Sequence, residues 1–164
     1  KNFVFERLSI TKTASNKVLI IDRLPPDPFY LSDRSEYKNA SAGTDRRSIP
    51  NMYAIKEAVE TIFENVEFVT LEHMTLKQQV QLFNESKIII AQHGASLANL
   101  IWANPDTTVI EIIPRPMLGL ISVFDFFGDL CRVLNLTHQV VVQENYHSEI
   151  DVNYFMSELK KLLA

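Results

Sequence analysis

The sequence holds a single cysteine, Cys131, among 164 residues. A lone cysteine excludes an intrachain disulfide and a thiolate metal cluster, and in an apolar stretch it reads as a small buried hydrophobe. No apolar run reaches the ~20 residues that a membrane-spanning helix needs, and no signal peptide opens the chain. Positive charge is in deficit: 16 Lys and Arg stand against 20 Asp and Glu, a formal net charge of -4. That balance argues against a nucleic-acid partner, which would need clustered cations. His73, His138 and His147 are scattered, no H-E-x-x-H or D-x-D motif occurs, and a divalent metal is not indicated.

What is present is an ordinary globular composition, with 46% hydrophobic and 22% charged residues, enough chain for one domain with a substantial core. The sequence opens on Lys1 rather than Met, as a piece of a longer protein would. Three N-x-S/T triplets begin at Asn39, Asn84 and Asn135 and would matter only in a secretory compartment. The compartment stays open: cytoplasm for a bacterial or viral chain, Golgi or ER lumen for a eukaryotic one.

Strands and helices alternate. The β-branched runs "KVLIID" (17–22), "VEFVTLE" (66–72), "KIIIAQ" (87–92), "TTVIEII" (107–113) and "HQVVVQE" (138–144) read as strands. Pro50 suits a first helical turn, followed by an apolar stripe of Ile55, Val59 and Ile62. Thr75 with Gln78 fits a capping box, with Leu76, Val80 and Phe83 on one face of the helix it starts. A helix is expected over 95–103, a longer one over about 118–135 with Leu120, Phe124, Phe127, Cys131 and Leu134 at helical spacing, and a last one in "DVNYFMSELKKLL", while residues 1–14 could form an extra strand or the remnant of a preceding domain. The long stretch between the first strand and Pro50 has little periodicity, and a loop of that length is often functional. The alternation predicts one Rossmann-like, doubly wound α/β domain over residues 1–164, with a mostly parallel sheet of five to six strands.

In such sheets ligands bind beyond the carboxyl ends of the strands, where the strand order reverses. Four features should meet there: the end of the first strand with its loop, the turn His93-Gly94-Ala95-Ser96, Glu111 in the fourth strand, and the following "PRPM". Gly94 lets the backbone approach a ligand, and the N–H groups of Ala95, Ser96 and Leu97 open a helix where an anion is favoured. His93 and the Ser96 hydroxyl can add hydrogen bonds to a phosphate; otherwise Ser96 caps the helix and His93 is a loop histidine. Glu111 is costly to bury unpaired, so it either accepts from sugar hydroxyls or pairs with an arginine such as Arg23. Arg23, Arg46 and Arg47 are placed to grip a diphosphate, which guanidinium groups bind bidentately. Asn99 could hold a ligand from one turn into the helix. Trp102 reads as core.

A second chemistry shares the same turn. Gly94-Ala95-Ser96-Leu97-Ala98 gives G-x-S-x-A, close to a serine hydrolase elbow, with Asp125 or Asp129 and then His138 or His147 in the required order. Against it, both aspartates fall in a predicted helix, His138 opens a strand, and no H-G-G-G oxyanion loop occurs. A non-catalytic module binding a nucleotide or partner is a further alternative.

Residues 76–114, "LKQQVQLFNESKIIIAQHGASLANLIWANPDTTVIEIIP", resemble glycosyltransferase family 61. Its pattern is an apolar helix with a Gln, an apolar strand, H-G-A-G-L-T-N, and a strand ending V-I-E-I. His93, Gly94, Ala95, Leu97, Asn99 and Glu111 match; Ser96 stands where the family usually has Gly and Ala98 where it usually has Thr. Arg23, Arg46, Arg47 and Asn51 are similar to the family's arginines and following Asn, with looser spacing before Asn51. The resemblance implies one half of a GT-B architecture and inverting transfer from a nucleotide sugar, typically a UDP-sugar, to a saccharide or protein hydroxyl. This chain would be the donor-binding half, inactive without an amino-terminal Rossmann-like partner half. It implies donor contacts from Arg23, Arg46, Arg47, His93, Gly94, Ala95, Ser96, Asn99 and Glu111, with His93 and Glu111 as catalytic candidates and no cofactor beyond the donor substrate.

Overall fold

The computed structural model describes residues 1–11, 16–26, 28, 46–121 and 125–163. The five β-branched runs form Lys17–Asp22 (β1), Val66–Thr70 (β2), Ser86–Gln92 (β3), Thr108–Pro114 (β4) and Thr137–Gln143 (β5). All neighbours pair in parallel, in the order β2-β1-β3-β4-β5. This is the α/β doubly wound arrangement, in its flavodoxin-like order.

Alternation along each strand sorts the core into two layers. Val18, Ile20, Ile88, Ile90, Ile110 and Ile112 face Met52, Ile55 and Val59 of α2 (Met52–Glu60) and Phe155 and Leu159 of α6 (Val152–Leu163). On the other face Leu19, Ile21, Ile89, Ala91 and Val109 meet Phe83 of α3 (Leu76–Glu85), Leu97, Leu100, and Cys131 of α5 (Phe126–Leu134). A uniform crossover hand requires this division, because the chain leaves β1 toward β2 in one direction and thereafter advances in the other. The reversal opens a crevice between β1 and β3 at their carboxyl ends.

Local chemistry sets the element ends. The Thr75–Gln78 capping box starts α3. Asp125 caps α5 by accepting from the Gly128 N–H at 3.1 Å, and Asn135 closes that helix in the left-handed conformation. The expected continuous helix over 118–135 is therefore two pieces, α4 (Leu118–Ile121) and α5, since a side-chain N-cap marks a new start. Residues 122–124, including Phe124 of the predicted stripe, lie outside the described residues.

Three further expectations are corrected. Of the two alternatives for the start of the chain the extra strand is overturned: residues Asn2–Leu8 form a helix, α1, and Phe5 anchors it beside Trp102 with ring centroids 6.4 Å apart. Helix α2 stops at Glu60, which leaves Ile62 beyond the helix and exposed. The segment Ala95–Trp102 is a 3₁₀ helix. Leu97, Leu100 and Ala103 recur every third residue and all are buried, a spacing that three residues per turn lines up on one edge. The loop predicted after β1 falls largely on residues 27 and 29–45, outside the described residues, as does Asn39.

Candidate functional site

Gly94 joins β3 to the 3₁₀ helix with φ 157° and ψ −175°, a backbone conformation essentially confined to glycine. A Cβ there would lie 2.0 Å from Nη2 of Arg23 and 3.3 Å from Nη2 of Arg47. The conformation calls for glycine, and any side chain at this position would also push the Arg23 guanidinium aside. The first N–H groups of the 3₁₀ helix, those of Ala95 and Ser96, precede its first internal bond, Leu97 N–H to Gly94 O at 3.0 Å.

Both arginines are held by one main-chain atom. The His93 carbonyl accepts from Arg47 Nε at 2.7 Å and from Arg23 Nη2 at 3.1 Å. Arg23 follows β1 directly. Arg47 comes from a segment stitched to the chain after β5: Ser48 N–H donates to Tyr146 O at 2.9 Å, and the Asn51 amide exchanges two hydrogen bonds with the Ile150 backbone at 2.7 and 2.9 Å. Asn51 is thus a clamp that places Arg46 and Arg47. The "PRPM" segment also reaches this point, since Arg47 Nη1 donates to Met117 Sδ at 3.4 Å.

Around these groups lies a cleft of about 280 Å³, lined by Ile21, Asp22, Arg23, Arg46, Arg47, Leu71, Glu72, Gln92, Ala95 and Ser96. Among the described residues, none of the three arginines forms an ion pair. Burial, and then the charges of Arg23 and Arg46, push the Arg47 guanidinium down to about 10. Burial also lowers Arg23, with Glu72 opposing and Arg46 adding. Burial raises the Asp22 carboxyl, partly offset by a backbone hydrogen bond at Arg23. At neutral pH the arginines keep their charge but crowd one another, the condition in which a bound anion is worth most.

Glu111 is placed differently from expectation. It is 1% exposed and pairs with neither Arg23 nor solvent. His93 Nδ1 lies 2.5 Å from its Oε1 and His138 Nε2 lies 2.8 Å from its Oε2. Burial pushes the carboxyl up, but the bonds from His138 and His93 outweigh it and hold Glu111 below its ordinary value. An ionised carboxylate only accepts, so each facing ring nitrogen carries the hydrogen. Glu111 is not part of the cleft lining, and its link to the cleft runs through His93. The His93 ring does not line the cleft either; it sits edge-on to Phe127 at 5.2 Å, and its contribution to the arginines is its carbonyl.

Asn99 lies outside the cleft lining too. Its amide donates to Gln79 Oε1 at 3.0 Å and Ser96 O at 3.3 Å, while Gln79 donates to Leu71 O and Met74 O at 3.3 and 3.0 Å. This brace joins the two cleft walls that carry Glu72 and Ser96.

The parts of a hydrolase relay are engaged elsewhere. Asp125 caps α5, Asp129 pairs with Arg132 at 2.7 Å, His138 holds Glu111, and His147 Nδ1 lies 3.0 Å from Ser48 Oγ. Ser96 does not cap the helix, whose N-cap is Gly94; it lines the cleft. Cys131 is buried, its thiol pushed by burial up to about 12, as for an unreactive core residue. Asn84 is fully buried in the fold and closed to glycan attachment.

Sequence reasoning missed Asp22, Glu72 and Gln92 on the cleft wall. Asp22 and Gln92 each end a strand on the ligand rim, and that position was the available signal. Gln92 is 2% exposed, and its Oε1 has no partner among the described residues, a deficit of roughly 1–3 kcal/mol for an ordinary buried acceptor.

Comparison with known proteins adds an independent line. A family model described as Glycosyltransferase 61 matches residues 1–110. The chain is 44% identical over 54 residues to a beta-1,2-xylosyltransferase, RCN11, of Oryza sativa subsp. japonica, covering 30% of this chain and 10% of that protein. It is 41% identical over 56 residues to a beta-1,2-xylosyltransferase of Arabidopsis thaliana, covering 32% of this chain and again 10% of the relative. The chain therefore spans about a tenth of the length of these relatives.

Proposed function

This chain belongs to the glycosyltransferase 61 family, and from that premise we propose that it is the donor-binding half of an inverting glycosyltransferase. The observation that carries the reading is the cluster of Arg23, Arg46 and Arg47, unpaired among the described residues, at the crevice where the strand order reverses. The ligand is a nucleoside diphosphate sugar. Its diphosphate lies against Arg23, Arg46 and Arg47, and the N–H groups of Ala95 and Ser96 point to the same anion.

In the reaction an acceptor hydroxyl attacks the anomeric carbon from the face opposite the diphosphate. The bond from that carbon to the phosphate oxygen breaks, and the electron pair leaves with the nucleoside diphosphate. A base takes the acceptor's proton. The arginines stabilise the charge that develops on the leaving group, the task a divalent cation performs in other sites. His93 and Glu111 have a positioning role here: Glu111 fixes His93, whose carbonyl fixes Arg23 and Arg47. No group of the cleft is assigned as the base. The cleft volume of about 280 Å³ falls just below the roughly 300–1,000 Å³ of small-molecule pockets, in keeping with a facing half that supplies the other wall and the acceptor. The xylosyltransferase names of the relatives make UDP-xylose the first donor to try.

The test is a calorimetric titration with UDP, UMP and uridine. Affinity should fall in that order, with UDP binding weakening as salt rises. Absence of saturable UDP binding would refute the reading.

A further inference from the structure

The cleft wall also carries an acceptor that the arginines leave unused. Gln92 Oε1 has no partner among the described residues, and the orientation of its amide is dictated by its neighbours. Gln143 Nε2 donates to the carbonyls of Ser48 at 2.7 Å and Ser148 at 2.6 Å, which uses both of its hydrogens. Gln143 Oε1 can then only accept, and Gln92 Nε2 supplies that hydrogen at 2.6 Å. Turning the Gln92 amide over would set two carbonyl oxygens face to face. Gln92 Oε1 is thus a committed acceptor, itself buried, on a residue of the cleft lining whose side chain is held by an amide chain that ends on the backbone.

An ionised phosphate cannot satisfy it, because phosphate oxygens accept hydrogen bonds and repel the negative end of a carbonyl dipole. The arginines suit the anion; Gln92 suits an uncharged donor beside it. We infer that Gln92 Oε1 accepts a hydrogen bond from a hydroxyl or ring N–H of the nucleotide sugar, next to the diphosphate, and so sets ligand specificity. This rests on the nucleotide-sugar reading of the cleft. A ligand lacking that donor leaves the acceptor buried and unpaired, the situation in which polar sites discriminate most sharply.

The test titrates the protein and its Gln92→Met variant with pyrophosphate, UDP, UDP-xylose, 2′-deoxy-UDP, 3′-deoxy-UDP and N3-methyl-UDP. Pyrophosphate should bind both proteins alike. With the native protein, one of the three analogues should bind about tenfold weaker than UDP, or the xylose should add about tenfold over UDP. That difference should vanish in Gln92→Met. The analogue series on the native protein stands alone if the variant does not fold. The inference is overturned if UDP, UDP-xylose and the analogues all bind the native protein within about threefold of one another, or if Gln92→Met weakens pyrophosphate as much as UDP. Native protein that binds neither UDP nor pyrophosphate overturns instead the nucleotide-sugar reading beneath it.

Discussion

Two clusters of ionisable groups meet at the β3 turn and are built in opposite ways. In the buried one, Glu111 has a histidine on each carboxylate oxygen, and the network is complete without a ligand. In the cleft, three arginines crowd together, two of them sharing the His93 carbonyl, without an ion pair among the described residues. The first arrangement holds the fold together. The second gathers three guanidinium groups on a wall where Asp22 and Glu72 offset them only in part, and sites of binding commonly keep such unfavourable charge at some cost in stability. His93 belongs to both, through its ring on one side and its carbonyl on the other.

The largest effect should come from breaking the buried cluster. Glu111→Ala should cost about 3–5 kcal/mol in urea denaturation, because it removes a buried carboxylate and the two charged hydrogen bonds, each worth about 1.5–3 kcal/mol, that it accepts from the half-buried His93 and His138. Its pH dependence has a definite sign. The folded carboxyl lies below its ordinary value, so its contribution is full above the unfolded glutamate range near ~4.3 and fades as pH falls through the lower folded value. Stability curves of the native protein and Glu111→Gln should therefore converge as the medium is acidified below about pH 4.

Next comes the cleft. Arg47→Ala should weaken UDP roughly ten- to a hundredfold, the loss of about 1.5–3 kcal/mol of charged hydrogen bonding, while in unfolding stability the lost bond to the His93 carbonyl and the relieved repulsion from Arg23 and Arg46 offset each other to within about 1 kcal/mol. Gly94→Ala touches the hinge between the clusters. Strain at its φ should cost about 1–3 kcal/mol, and UDP affinity should fall with it, since the new methyl displaces Arg23. Ser96→Ala should be the mildest, within about 0.5 kcal/mol in stability, and a fluorophosphonate probe should leave the native Ser96 unlabelled.

The contrast between the clusters also separates what the sequence revealed from what it concealed. Strands of β-branched residues and the arginines at their ends were legible, because periodicity and position along the chain carry that information. Glu111 stood out as a costly carboxylate inside an apolar run, yet its partners were hidden. His138 lies 27 residues away and pairs with it only through the β4–β5 register. Gln92 looked like the last residue of a strand, and only its bond to Gln143, 51 residues on, shows which amide atom is left without a partner among the described residues. The 3₁₀ helix was read as α because three-residue and four-residue spacings are hard to tell apart over eight residues. Ser96 drew attention through a five-residue window, whereas the structure brings Arg23 and Arg47 against Gly94 at that turn.

On the proposed reading the arginine cluster serves a phosphate ligand and the glutamate cluster serves the fold. The direct measurement is a paired one, UDP titration and thermal unfolding on the native protein, Arg47→Ala and Glu111→Gln. Arg47→Ala should lose UDP affinity at nearly native melting temperature, and Glu111→Gln should melt earlier at neutral pH while a folded sample still binds UDP. Equal UDP affinity in the native protein and Arg47→Ala would contradict the account.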